Sequence, residues 1–145
     1  MSVFALAIVI GLLGGLAVAF QNPLAGMLGG RIGAIESAFI IHLGGLLLAA
    51  VVLLAMRGGN IAEWRSAPWY ALGAGVLGVI LIGSLSYTIP RLGVAATVTL
   101  IVLAQLTIGA VLDHFGWLGV DVRTFGLGRA LGIVALFAGT WLMLR

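Results

Sequence analysis

The stretch Ala34–Met56, AIESAFIIHLGGLLLAAVVLLAM, decides the fold. Its 23 residues hold one acid, Glu36, and one imidazole, His42, and no other group that ionises. About 20 apolar residues in helix cross the hydrocarbon of a bilayer. The apolar residues run on without a period of two, which excludes a strand of a membrane barrel. Four further runs have the same character: Val3–Phe20, continuing past Pro23 to Leu28, then Trp69–Thr88, Val94–Leu112 and Leu127–Leu144. The reading is an all-α integral membrane protein of five transmembrane helices, multi-pass, forming a single domain over residues 1–145.

Composition agrees. Of 145 residues, 63% are apolar and 8% charged, against about half and a quarter in soluble domains. A soluble globule of this size could not hide so much apolar surface. The seven arginines are scattered, which excludes the clustered basic face of a nucleic-acid binder. Without cysteine there is no disulfide, iron–sulfur cluster or thiolate metal site. No Walker loop, His-Glu-x-x-His or nucleophile elbow is present, so neither an enzyme, a cofactor nor a metal centre is expected.

The first span lacks a basic n-region and an Ala-x-Ala site, and reads as a retained signal anchor. The loops are short. Arg57–Pro68 turns at Gly58-Gly59-Asn60, and Asp113–Gly126 carries Phe115, Trp117 and Phe125 for the membrane interface. Ile89-Pro90-Arg91-Leu92-Gly93 is a tight link that makes spans three and four a hairpin. Small-xxx-small pairs at Gly11–Gly15, Ala71–Gly75, Ala74–Gly78, Gly128–Gly132 and Ala135–Gly139 allow close helix packing, and those on span five suit a dimer seam. No internal repeat is apparent.

With five spans, Arg57, Arg65, Arg123 and Arg129 fall on the side of the N-terminus, and Arg31, Arg91 and Arg145 on the other. Four against three is too even to fix orientation by the positive-inside rule. Three outcomes fit: one weakly biased orientation, insertion both ways to give an antiparallel homodimer, or a heteromer with an oppositely inserted relative. An odd-span unit acquires the inverted symmetry of transporters only by pairing with an inverted copy.

Polar groups inside hydrocarbon are costly, and each is a candidate for function. His42 lies about 12 Å into span two and Gln105 about 16 Å into span four, at a rise of 1.5 Å per residue. Both fall near the midplane, where a central substrate site belongs. His42 is also the one span-interior residue of a type that titrates near neutrality. Gln21, Asn22, Glu36 and Tyr87 gather at the side opposite the N-terminus, where Pro23 kinks span one. Glu36 favours its helix N-terminus or pairs with Arg91 or Arg31. Asp113 closes span four where the helix dipole disfavours an anion, so it needs Arg129, at matching depth, as an ion-pair partner. Trp64, Trp69, Trp117 and Trp141 lie near span ends and suit interface anchoring.

Several of these segments carry a resemblance: Gln21-Asn22, Tyr87-Thr88-Ile89-Pro90-Arg91-Leu92-Gly93, Gln105, Leu112-Asp113-His114-Phe115-Gly116, Arg129-Ala130-Leu131-Gly132 and Ala138-Gly139-Thr140. Together they resemble the five-span YdcZ-like family, a domain-of-unknown-function branch of the drug/metabolite transporter superfamily. The resemblance implies half of a ten-helix transporter fold, completed by an antiparallel dimer in the cell inner membrane. It also implies secondary-active export of a small-molecule substrate, with membrane lipid around the dimer. Many relatives have Ser-Phe where this chain has His42-Leu43, and lack the acid of Glu36. The residues themselves leave open a channel or lipid-handling protein, and a non-transporting assembly subunit.

Overall fold

Long apolar runs fold into helices because only a helix satisfies its own backbone where water is absent. The computed structural model describes residues 2–145, and they form helices with no strand among them. Six α-helices follow one another: α1 Val3–Ile32, α2 Ala34–Ala55, α3 Trp69–Leu72, α4 Ala74–Leu92, α5 Val94–Phe115 and α6 Leu127–Met143. Four segments are long and apolar enough to cross a membrane: α1, α2, Trp69–Leu92 and α5. The last helix, α6, is apolar but has 17 residues, about 25 Å at the helical rise against roughly 30 Å of hydrocarbon.

Two expected boundaries move. Helix α1 runs through Pro23, as expected, but ends at Ile32 and not at Leu28, 30 residues in all. Proline is tolerated inside a membrane helix when neighbours re-satisfy the freed backbone. Helix α4 likewise passes through Pro90 to Leu92. The links on this side are therefore single glycines. Gly33 has φ 106° and ψ 157°, and Gly93 has φ 81° and ψ 165°. A side chain is strained at such positive φ, and glycine is not. The Gly33 N–H still donates to the Gly29 carbonyl, and its own carbonyl accepts from the Ser37 N–H. One helix ends and the next begins with no loop between them.

The two glycine links expose a repeat that the expectation of none missed. Arg31-Ile32-Gly33-Ala34 and Arg91-Leu92-Gly93-Val94 lie sixty positions apart, each followed by a hydroxyl, Ser37 or Thr97. Burial repeats at the same spacing. Asn22, Ala25 and Gly26 are buried on α1, and Ile82, Leu85, Ser86 and Ile89 on α4. With so few identities, the shared pattern becomes visible only once the glycine links and the buried faces are known.

The chain divides into two compact units, Met1–Arg91 and Leu92–Arg145. The interior of the first unit sets small groups on α1 and α2 against Ile82, Leu85 and Ile89 on α4. A Cβ on Gly26 would overlap the Ile89 side chain, and one on Gly29 would overlap the Ser86 carbonyl and Cβ. Shifting by sixty turns the Gly26–Ile89 contact into Ser86–Gly29, so the α1–α4 contact has a local twofold character. Large apolar side chains such as Phe4, Leu12, Leu48 and Leu54 point outward, the reverse of a soluble core. In the second unit α5 packs on α6, and the connecting chain folds back over the end of α5. Gly116 ends α5 in the left-handed conformation, and the Arg123 N–H then donates to the Asp113 carbonyl at 2.8 Å.

The packing of α1 on α4 predicts a graded glycine series. Gly29→Ala overpacks against backbone and is expected to cost about 1–3 kcal/mol. Gly11→Ala meets nothing within 4 Å and should leave stability unchanged or raise it. Thermal unfolding of both variants in one detergent is the check.

Candidate functional site

Within the first unit a chain of hydroxyls crosses the helix contacts. Ser37 on α2 donates to the Ala25 carbonyl on α1 at 3.2 Å. Ser86 on α4 lies 2.8 Å from the Ser37 oxygen. Ser37 has one proton, already directed at Ala25, so Ser86 is the donor in the second bond. Both serines are fully buried, and the chain ties three helices at one level. Asn22 lies on the same buried face of α1, and its Oδ1 has no hydrogen-bond partner. In the second unit Thr97 Oγ1, the counterpart of Ser37 in the repeat, is also buried without one. Thr99, Thr107 and Thr140 instead donate to the carbonyl four residues back. A buried polar atom left unpaired costs about 1–3 kcal/mol, so both atoms can reward a polar ligand.

The residues expected at the site take distinct positions. His42 is half-buried, and its Nδ1 donates to the Ala38 carbonyl of its own helix at 2.8 Å. Its Nε2 faces Gly78 on α4, where a Cβ would stand 2.9 Å away. Gly78, in one of the small-residue pairs, is therefore the space His42 occupies. Gln105 is exposed on α5, and Gln21 is exposed on α1 beside the buried Asn22.

Of the two places expected for Glu36, the structure shows the helix N-terminus, and it pairs with neither Arg91 nor Arg31 among the described residues. Its carboxylate folds back over Gly33, into space a side chain would fill. There it faces the N-terminus of its own helix, where the dipole favours an anion. Arg91 is likewise not an ion-pair residue. Its guanidinium lies 3.6 Å from the centre of the Tyr87 ring and donates to the Tyr87 carbonyl. Tyr87 in turn lines a groove of about 430 Å³ between α2 and α4, walled by Ala34, Ile35, Ile80 and Gly83.

Asp113 and Arg129 form a salt bridge of 3.3 Å. Each charge stands at the unfavourable end of its helix, an anion near the C-terminus of α5 and a cation near the N-terminus of α6. Pairing removes both penalties. Arg129 also donates to the Arg123 carbonyl, and the Phe125 N–H donates to His114 Nδ1 at 3.1 Å. The aromatic residues of this end stack, with Phe115 and Trp117 at 5.1 Å.

Sequence reading passed over Ser37 and Ser86. A serine in an apolar run looks like filler, and the usable signal was its place four residues after a repeated Arg-x-Gly.

The hydroxyl chain predicts an asymmetry between its serines. Ser37→Ala strands the buried Ser86 hydroxyl and is expected to cost about 1–3 kcal/mol. Ser86→Ala leaves Ser37 bonded to Ala25 and should cost less. Unfolding midpoints of the two single variants and the double variant decide it.

Among known proteins, the model of the family described as "Putative inner membrane exporter, YdcZ" matches residues 6–142. No curated protein matches the chain. No solved structure matches it.

Proposed function

The chain belongs to the YdcZ family of inner-membrane exporters, and from that premise we propose that it is a secondary-active carrier of a small organic molecule. It is a multi-pass protein of the inner membrane. In the proposed cycle two copies pair antiparallel, with α6 as the fifth span of each. The pair opens alternately to either side, and no covalent chemistry takes place. Without a nucleotide-binding loop in the sequence, uphill export draws on an ion gradient or on exchange.

One observation carries the proposal: Gln105, about 16 Å into α5, is exposed on the second unit. A polar group at that depth belongs against protein or a water-filled cavity, not lipid. A second copy would cover it and enclose a site at the midplane. His42 is assigned with Gln105 to substrate near the midplane. Gln21, Asn22, Glu36 and Tyr87 are assigned to substrate at the far end of α1, α2 and α4. The open grooves and the four-to-three arginine split support the same reading.

Reporter fusions at the C-terminus should report both orientations in comparable amounts. A single orientation, with no oppositely inserted partner, rejects the antiparallel pair. Adding two lysines to one side should lock orientation and lower flux.

His42 supplies a second test. Its ring is bonded only to its own helix, and Glu36, six residues away, lies about 120° around that helix and about 9 Å along it. His42→Gln keeps a polar side chain of similar size and removes the imidazole. Proteoliposome flux for this variant should lose its dependence on pH while the dimer still assembles. Profiles identical to the wild type would make His42 a packing residue.

A further inference from the structure

Two cavities of the second unit meet at one residue, Asp113. The larger, about 560 Å³, is an apolar groove between Leu106, Gly109 and Ala110 on α5 and Gly132, Ile133 and Leu136 on α6. It is hollow because glycines face it. A Cβ on Gly109 or Gly132 would meet nothing within 4 Å. The smaller, about 360 Å³, lies in the α5–α6 connection and is lined by Asp113, Gly119, Val120, Asp121 and Arg123. One end of the composite site is hydrocarbon-like and the other is charged.

The charges select the ligand. Arg129 is committed to Asp113 Oδ2. Asp121 and Arg123 have no ion-pair partner among the described residues, and they stand two apart in a stretch that is neither helix nor strand. The polar cavity therefore offers one free carboxylate and one free guanidinium, and the four charges sum to zero. A head group with one cation and one anion complements it, whereas an anionic head would oppose Asp121. No aromatic ring lines the polar cavity, which disfavours a quaternary ammonium. A primary ammonium can donate to Asp121, and a phosphodiester can accept from Arg123.

The apolar groove names the source. It runs from Leu106 to Asp113, about 10 Å along α5. The aromatic residues Phe115 and Trp117 mark the adjacent end as interfacial. We infer that this is a binding site for a zwitterionic phospholipid with a primary-amine head, its head between Asp121 and Arg123 and an acyl chain between α5 and α6. The site is complete in one chain and does not depend on the carrier reading.

The test uses the purified full chain in detergent. Phosphatidylethanolamine, phosphatidylcholine and phosphatidylglycerol with identical acyl chains are added in turn, and retained lipid is read by native mass spectrometry. Phosphatidylethanolamine should be retained about two- to fivefold more than either other lipid, the worth of an exposed charge contact. Asp121→Asn should lower its retention to the phosphatidylcholine level. Arg123→Gln should lower phosphatidylethanolamine and phosphatidylcholine together. Both side chains are exposed, so these variants test the head without disturbing the fold. Gly132→Leu fills the groove and should reduce retention of all three lipids. Equal retention of the three lipids by the wild type overturns the inference, as does an unchanged ethanolamine-to-choline ratio in Asp121→Asn. Gly132→Leu that keeps its lipid but loses a dimer would show that the groove seats a second copy instead, which also overturns it.

Discussion

The near-contact of backbones where α1 crosses α4 is the constraint on which the first unit depends. In lipid no hydrophobic force draws helices together, so packing and polar bonds must do it. Gly29 lies against the Ser86 carbonyl, and Gly26 against Ile89, at distances that leave no room for a methyl group. That proximity belongs to the same interior in which Ser86 bonds to Ser37 and Ser37 to the Ala25 carbonyl. The small residues and the hydroxyl chain are thus one device. Its consequence in the first unit is an interior in which small and polar groups sit beside Ile82, Leu85 and Ile89, while most large apolar side chains lie outside.

The second device is the loopless link. Gly33 and Gly93 both take positive φ with extended ψ, and each carbonyl accepts from an N–H four residues on, Ser37 or Thr97. Few backbone groups are left for water, which matters where water is scarce. The same link used twice, sixty residues apart, makes differences between its two settings informative. Ser37 has partners for its hydroxyl, and Thr97 has none. Asn22 falls where the repeat has Ile82, so a polar side chain on one helix matches an apolar one on the other. Where a repeat departs from itself in polarity, chemistry rather than packing is the natural cause.

The helices were legible because apolar length is written directly in the sequence, as in Ala34–Met56. Their ends were less so. Pro90 is read as part of a link, yet α4 runs through it, and α1 runs four residues past its expected end at Leu28. Tertiary contacts overrule a local preference of that size. The last helix shows the converse, since α6 is apolar enough but stops at 17 residues. At the candidate site, polarity and depth can be read from position, but direction cannot. Gln21 and Asn22 are neighbours, one outside and one buried. Glu36 takes one of its two expected places, its own helix end, and Arg91 turns to an aromatic ring. Such choices rest on a few ångströms of geometry around Gly33 and Tyr87.

Direction is what gives the polar residues their meaning. Glu36 and Tyr87 face outward near helix ends, where interfacial water can hydrate them. Arg31 can reach the same layer with its long side chain. Gln105 has neither recourse. Its side chain is short, its helix continues for ten residues beyond it, and it faces outward in the middle of α5. A lone chain would hold that amide in hydrocarbon with its hydrogen bonds unmade. The inverted copy proposed above would supply the polar surface that an outward Gln105 lacks, and the four-to-three arginine split leaves room for it. On that proposal pairing and substrate binding are one problem, because the surface that hides Gln105 would also enclose the space beside it.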